Sequence, residues 1–374
     1  MDSSFYKTLA FVCFILIGVL LKTKIKTKAE RTGLKKIILN LALPSTIFIA
    51  LMGVQIQWNL LFLPLMALML NVVLFLATPF FLPLLGFQKD TPEFKTAHLL
   101  IPSLAPGLSC FPFVLEFLGE NALANVAMAD LGNKIFVLVG LYVIAMNWHY
   151  RSMTLKQKGS DNVRSVVKAL ISEPVNVFIA VALVLLAFGL TMDSLPVLFS
   201  DILQKLSLIM TPLVLLFIGL GLKIKRNQFF QIFSMLSIRA GVVFLLGWIF
   251  AALTGIPSTE SILLLLAFGL SACSFWPYAH IAVVDRLEEN EGKKTFNSDF
   301  ALSLLALSFP FSTLLILGVL NAETVFSSYF NILFVGGSLI GFGLVFPLLK
   351  LLRKRMVFHK VPKTKMEGST ANHI

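Results

Sequence analysis

Asp130, Asn133 and Lys134 stand at i, i+3 and i+4 in the segment MADLGNKIF. That spacing puts a carboxylate, an amide and an ammonium on one face of a helix. The surrounding sequence is apolar, and ionisable groups within the bilayer are costly unless they face a partner or a cavity. Two chemistries fit: Asp130 and Lys134 pair with each other, or Asp130 carries a proton or touches a cation. A second stretch precedes them. Residues 102–113 read PSLAPGLSCFPF, with Pro102, Pro106, Gly107 and Pro112 inside an apolar run. Proline removes an amide donor and clashes with the carbonyl one turn back. This cluster is too dense for a simple kink and predicts two half-helices joined by an unwound stretch that faces a protein-lined cavity. The second half-helix, starting near Phe111, would turn its positive end toward an anion. SACSFWPYAH at 271–280 predicts a similar break around Pro277.

The two breaks define a candidate substrate site. The first supplies Ala105, Pro106, Gly107, Ser109, Cys110 and Pro112, and the second supplies Ser271, Ser274, Trp276 and Pro277. Asp130, Asn133, Lys134, Arg239 and His280 are the candidates for coupling or for the polar wall of a cavity. Arg239 is either a counter-charge for an anionic substrate or a side chain snorkelling to the interface. His280 either titrates near neutral pH or is simply hydrogen-bonded. Pro44, Pro79 and Pro310 stand alone and read as ordinary kinks, while Trp58 and Trp148 read as interfacial belt residues. Cys13, Cys110 and Cys273 all lie in apolar runs, which predicts free thiols. HxxxD, GxSxG, metal-ligand spacings and GxxxxGK[ST] are all missing from the sequence. The expectation is therefore no enzyme, no catalytic residue, no metal and no cofactor.

Composition says what must position these residues. The chain has 374 residues, is 57% hydrophobic and only 13% charged, with a mean hydropathy of +0.88. Soluble domains are about a quarter charged. Apolar runs of roughly 20 residues recur along the whole length, as in an all-α polytopic membrane protein. Eleven spans can be drawn, at about 5–21, 34–56, 60–86, 95–118, 121–148, 170–190, 202–222, 228–253, 260–284, 299–319 and 327–352. All of the 31 Lys and Arg except Lys7, Lys134, Lys205 and Arg239 fall in alternate connections or the C-terminal tail. That pattern orients the N-terminus outside and the C-terminus in the cytoplasm of a plasma (inner) membrane. It also explains the net charge of +12 without nucleic acid. MDSSFYK lacks a basic n-region, so the first run reads as an uncleaved helix.

LALPSTIFIALMGVQI in the second span is similar to LIMTPLVLLFIGLGLKI in the seventh. LSCFPFVLEFLGEN in the fourth is similar to SACSFWPYAHIAVVD in the ninth. The offset is five spans, and because five is odd the second copy runs inverted through the bilayer. Inverted repeats with broken helices are a transporter architecture. The expected organisation is a first five-helix repeat with its cytoplasmic loop at 1–165 and a second, inverted repeat at 166–320. An extra eleventh helix with a basic, membrane-surface tail follows at 321–374.

NLALPSTIF, FLGENALANVAMADLGNKIFVLVGLYV, SEPVNVFIAVALVLLAFGL and SLLALSFPFSTLLILGV together resemble the auxin efflux carrier family, over roughly residues 5–320. The GEN…DxGN segment is the most specific match. The resemblance implies ten helices in two inverted repeats, with the fourth and ninth broken and crossing. It also implies a scaffold and a transport domain that move against each other, and export of a carboxylate. The family's glycine-asparagine before the first crossover stands here as Leu104 and Ala105, a glycine appears as Cys110, and bulky FWPY replaces small residues in the ninth span. The chain therefore resembles a divergent member.

The expected function is a secondary transporter or permease for a small organic anion, working by alternating access. A proton or sodium ion is the coupling candidate, the lipid bilayer is the solvent, and a homodimer is the candidate assembly. One alternative is a sodium-coupled symporter of the bile-acid transporter type. Another is an integral membrane acyltransferase, which would need an early histidine, whereas the first here is His98.

Overall fold

Among the described residues the apolar runs fold as helix, with two interruptions, and no strand occurs. The structure, a computed structural model, describes residues 3–53, 59–152, 174–221, 226–254, 258–288, 294–326 and 328–359. Trp58, most of the basic connection at 151–168, the basic residues at 223–225 and the tail from 360 lie outside the described residues.

The chain runs through α1 (Ser3–Leu21), α2 (Lys28–Ile37), α3 (Leu43–Met52), α4 (Asn59–Phe81), α5 (Pro92–Leu100) and α6 (Phe111–Leu118). It continues through α7 (Glu120–Lys134), α8 (Leu141–Ser152), α9 (Pro174–Ala187), α10 (Val197–Leu208) and α11 (Met210–Gly221). The last five are α12 (Arg226–Thr254), α13 (Thr259–Gly269), α14 (Phe275–Leu287), α15 (Ser298–Asn321) and α16 (Tyr329–His359). Among the described residues, 7 helical stretches are long and apolar enough to cross a membrane. Leu9–Leu21, Val177–Ala187 and Thr259–Gly269 are shorter apolar helices. Large apolar side chains such as Phe80, Leu253 and Phe330 are more than two-thirds exposed. Such an apolar exterior suits hydrocarbon and would be a liability in water.

Local chemistry starts and bends these helices. Thr27 and Glu30 form a reciprocal capping box at the start of α2, with bonds of 2.8 and 3.2 Å. Thr91, Ser258 and Asn297 cap α5, α13 and α15 through their side-chain oxygens. A π-helical turn at Ile38–Ala42 joins α2 to α3, and another at Ile135–Gly140 joins α7 to α8. A π turn inserts a residue and rotates the side chains that follow, and such turns gather at functional sites. Pro79 and Pro310 lie inside α4 and α15, which stay continuous as expected of lone prolines. Pro44 sits in the first turn of α3.

The helices pack in two neighbourhoods that α3 joins by lying against α7. In one, α1 lies against α11, and α3 against α9 and α10. In the other, α4 lies against α7, α14 against α8 and α15, and α12 against α16. Glycine makes the closest of these approaches. A Cβ on Gly132 would stand 1.8 Å from the Pro64 carbonyl oxygen, so α7 can press onto α4 only without a side chain there. Gly241 plays the same part for α12 against α16, where a Cβ would meet the Gly336 oxygen at 2.7 Å.

Two helices are interrupted. α5 ends at Leu100, residues 101–105 are unwound, Pro106–Ser109 makes a single turn, and α6 begins at Phe111. α13 ends at Gly269, the chain is extended or turned to Ser274, and α14 begins at Phe275. The second break therefore lies before Pro277, not around it. Pro277 sits in the first turn of α14, where amides lack helical partners and a missing N–H costs nothing. Two apolar clusters meet at these breaks. One contains Leu104, Leu108, Cys110, Leu270 and Ala272, and the other contains Leu99, Leu100, Ile101 and Cys273.

Candidate functional site

An unwound segment in an apolar interior must find partners for its backbone, at a cost of about 1–3 kcal/mol for each buried group left without one. Here the two unwound segments find them largely in each other. The Ala105 amide donates to the Ala272 carbonyl at 2.8 Å. The Ala272 amide donates to Ser109 Oγ at 2.9 Å, and the Ser274 amide to Ser103 Oγ at 3.0 Å. The broken helices thus meet in direct hydrogen-bond contact.

Neighbouring helices supply the remaining partners. From α4, Asn71 Nδ2 donates to the Pro102 carbonyl at 2.8 Å. From α7, Asn133 brackets Leu104, donating to its carbonyl at 3.0 Å and accepting from its amide at 3.3 Å. On the second segment, Arg239 from α12 donates to the Ser271 carbonyl at 2.7 Å and more weakly to Gly269 at 3.4 Å. Ser308 Oγ from α15 accepts from the Cys273 amide at 3.2 Å. Arg239 is buried and places its cation at the C-terminal end of α13, where the helix dipole is negative. It neither snorkels nor lines the cavity; the carbonyls of Gly269 and Ser271 hold it.

Asp130 is buried between two partners. One carboxylate oxygen accepts from Asn133 Nδ2 at 2.8 Å, and the other lies 3.5 Å from Lys134 Nζ. Asn71 Nδ2 also reaches Asn133 Oδ1 at 3.0 Å, so the polar face of α7 and the first crossing segment form one network. Such a network holds its members in place only while each stays partnered.

Beside the crossing lies a cavity of about 500 Å³. Ala105, Pro106, Gly107, Asp130, Asn133, Lys134, Ser274 and Trp276 line it, together with Lys35, Lys36 and Asn40 of the α2–α3 unit. Three ammonium groups face one carboxylate, so the lining carries net positive charge. The apolar walls include Leu39, Leu104, Val137 and Phe275. The first turn of α14 forms part of the wall and adds its positive end. Mostly apolar walls with a few converging polar groups are usual for small-molecule sites.

The other sequence candidates lie elsewhere. Ser109 holds the Ala272 amide, Cys110 and Pro112 are buried in packing, and Ser271 contributes its carbonyl to Arg239. Pro277 is a helix-start residue without a place in the lining. The ring of His280 bonds to the Val137 carbonyl at 2.9 Å, inside the π turn, and packs edge-on against Tyr142. Trp148 packs at a tilt against His98 and Phe296. Sequence reasoning did not single out Lys35, Lys36, Asn71, Ser103 or Ser308. Asn71 carried a usable signal, as a lone amide inside an apolar span.

The chain matches no known protein-family model, and no curated protein shows significant similarity to it.

Proposed function

We propose that the chain is a secondary transporter that moves a small organic anion by alternating access. The observation that carries this reading is the cation-lined cavity built on two crossing unwound segments. The lysines on its wall, with the first turn of α14, can recognise a carboxylate without a cofactor. Two inverted five-helix repeats account for the way the crossing is supported. Asn71 serves Pro102 as Arg239 serves Ser271, and Asn133 serves Leu104 as Ser308 serves Cys273. In each case the first partner comes from the helix before the broken one and the second from the helix after it. On this reading α16 is an eleventh helix outside the repeats. The group containing α1, α3 and α9–α11 is the scaffold, and the group containing α4–α8 and α12–α15 is the transport body. The resemblance to the auxin efflux carriers implies the same division. With the N-terminus outside, Lys35 and Lys36 stand on the cytoplasmic side and the cavity opens inward. A flux screen of carboxylates in proteoliposomes, at imposed pH and sodium gradients, tests the reading. Asp130→Asn is the control for proton coupling: pH-dependent flux that survives it unchanged removes the proton role from Asp130.

A further inference from the structure

Lys35 has an unusual partner. It is half-buried at the cavity wall, yet among the described residues no carboxylate pairs with it. Its ammonium instead sits 3.7 Å from the centroid of the Phe275 ring. A cation desolvated over an aromatic face is held more weakly than one paired with a carboxylate. The two residues also lie on helices with different neighbours. Lys35 is in the last turn of α2, which packs near α11, whereas Phe275 opens α14, which packs on α8 and α15. Phe275 is seated there against Phe309, with ring centroids 5.4 Å apart.

We propose that Lys35 is the residue that reads the substrate's carboxylate, and that Phe275 is the partner it gives up to do so. This rests on the cavity being the anion site. A carboxylate entering between Lys35, Lys36 and Lys134 offers Lys35 a charge-assisted bond in place of the ring. Lys35 leaves Phe275, and one tie between scaffold and transport body is released only when the site is occupied. Occupancy then favours relative motion of the two bodies, because the ligand interacts differently with the tied and untied states.

The competition predicts opposite signs for the two partners. In the full chain, purified in nanodiscs, malonate and succinate binding is measured by calorimetry; these aliphatic probes gain nothing from stacking on a ring. Lys35→Gln weakens binding roughly tenfold or more, the value of a lost hydrogen bond between charged groups. Phe275→Leu keeps the apolar volume but frees the ammonium, and tightens binding by roughly two- to thirtyfold. In the Lys35→Gln background Phe275→Leu changes nothing, as a double-mutant cycle requires of one shared contact. Thermal unfolding verifies that each variant is folded, and Lys35→Arg retains part of the affinity if Lys35→Gln does not fold. Phe275→Leu that weakens or leaves binding unchanged overturns the proposal, as does an effect that persists without Lys35. If the parent chain binds neither dicarboxylate, the carboxylate-site reading itself fails and takes this inference with it.

Discussion

Truncating Asn133 to alanine isolates the energetics of the crossing. Its side chain makes four bonds: to the Leu104 carbonyl (3.0 Å) and Asp130 (2.8 Å) as donor, and from the Leu104 amide (3.3 Å) and Asn71 (3.0 Å) as acceptor. Asp130 keeps Lys134, and Asn71 keeps the Pro102 carbonyl. Leu104 keeps nothing: both of its backbone groups are stranded in a residue only 1% exposed. Two such groups at about 1–3 kcal/mol each give an expected loss of about 2–6 kcal/mol. Ser308→Ala is the calibrating comparison, because it removes one acceptor from one amide, at 3.2 Å, and should cost about 1–2 kcal/mol. Equilibrium unfolding in mixed detergent micelles, read by a thiol-reactive fluorophore, measures both. Cys110 and Cys273 are fully buried at the crossing and become reactive as it opens, once exposed Cys13 is replaced by serine. A loss below about 0.5 kcal/mol for Asn133→Ala, within the range of neutral surface changes, would refute the reasoning. So would a loss smaller than that of Ser308→Ala.

Other substitutions probe the same architecture. Arg239→Leu leaves the Ser271 carbonyl without its 2.7 Å donor and should destabilise by about 2–4 kcal/mol, with Arg239→Lys recovering part of it in the same unfolding assay. Gly132→Ala forces a methyl group into the Pro64 carbonyl and should destabilise by about 2 kcal/mol or more, whereas Gly33→Ala, with nothing near its Cβ, should be neutral or stabilising.

How much of this could be read in advance differs from residue to residue. The first break was legible because Pro102, Pro106 and Pro112 each lack the N–H that a continuous helix needs, Gly107 adds backbone freedom, and no tertiary contact can restore a missing N–H. Asp130, Asn133 and Lys134 were legible as one face because helix geometry alone brings i, i+3 and i+4 together. The second break was misplaced because its unwinding begins at Leu270–Ser274, which holds no proline; the partners that favour it come from Arg239, Ser308 and the first segment. Arg239 itself was ambiguous, since a cation near a helix end can reach water or a neighbouring helix terminus, and only the fold decides. Lys35 and Lys36 were counted among the loop charges that orient the chain. Their place on the cavity wall depends on the α2–α3 unit and its π turn at Ile38–Ala42, which carries no proline or glycine. Ser109 was read as a substrate residue, and nothing local marks it or Ser103 as an acceptor for the other segment's amides.

Counterflow tests the central claim most directly, because it requires one site that opens alternately to both sides and needs no knowledge of the coupling ion. Proteoliposomes holding the full chain are preloaded with an unlabelled carboxylate and diluted into a trace of the same labelled compound. The account predicts transient, saturable accumulation of label for at least one carboxylate, above that of protein-free vesicles. Label that never exceeds the protein-free level, for any mono- or dicarboxylate tried, would contradict it.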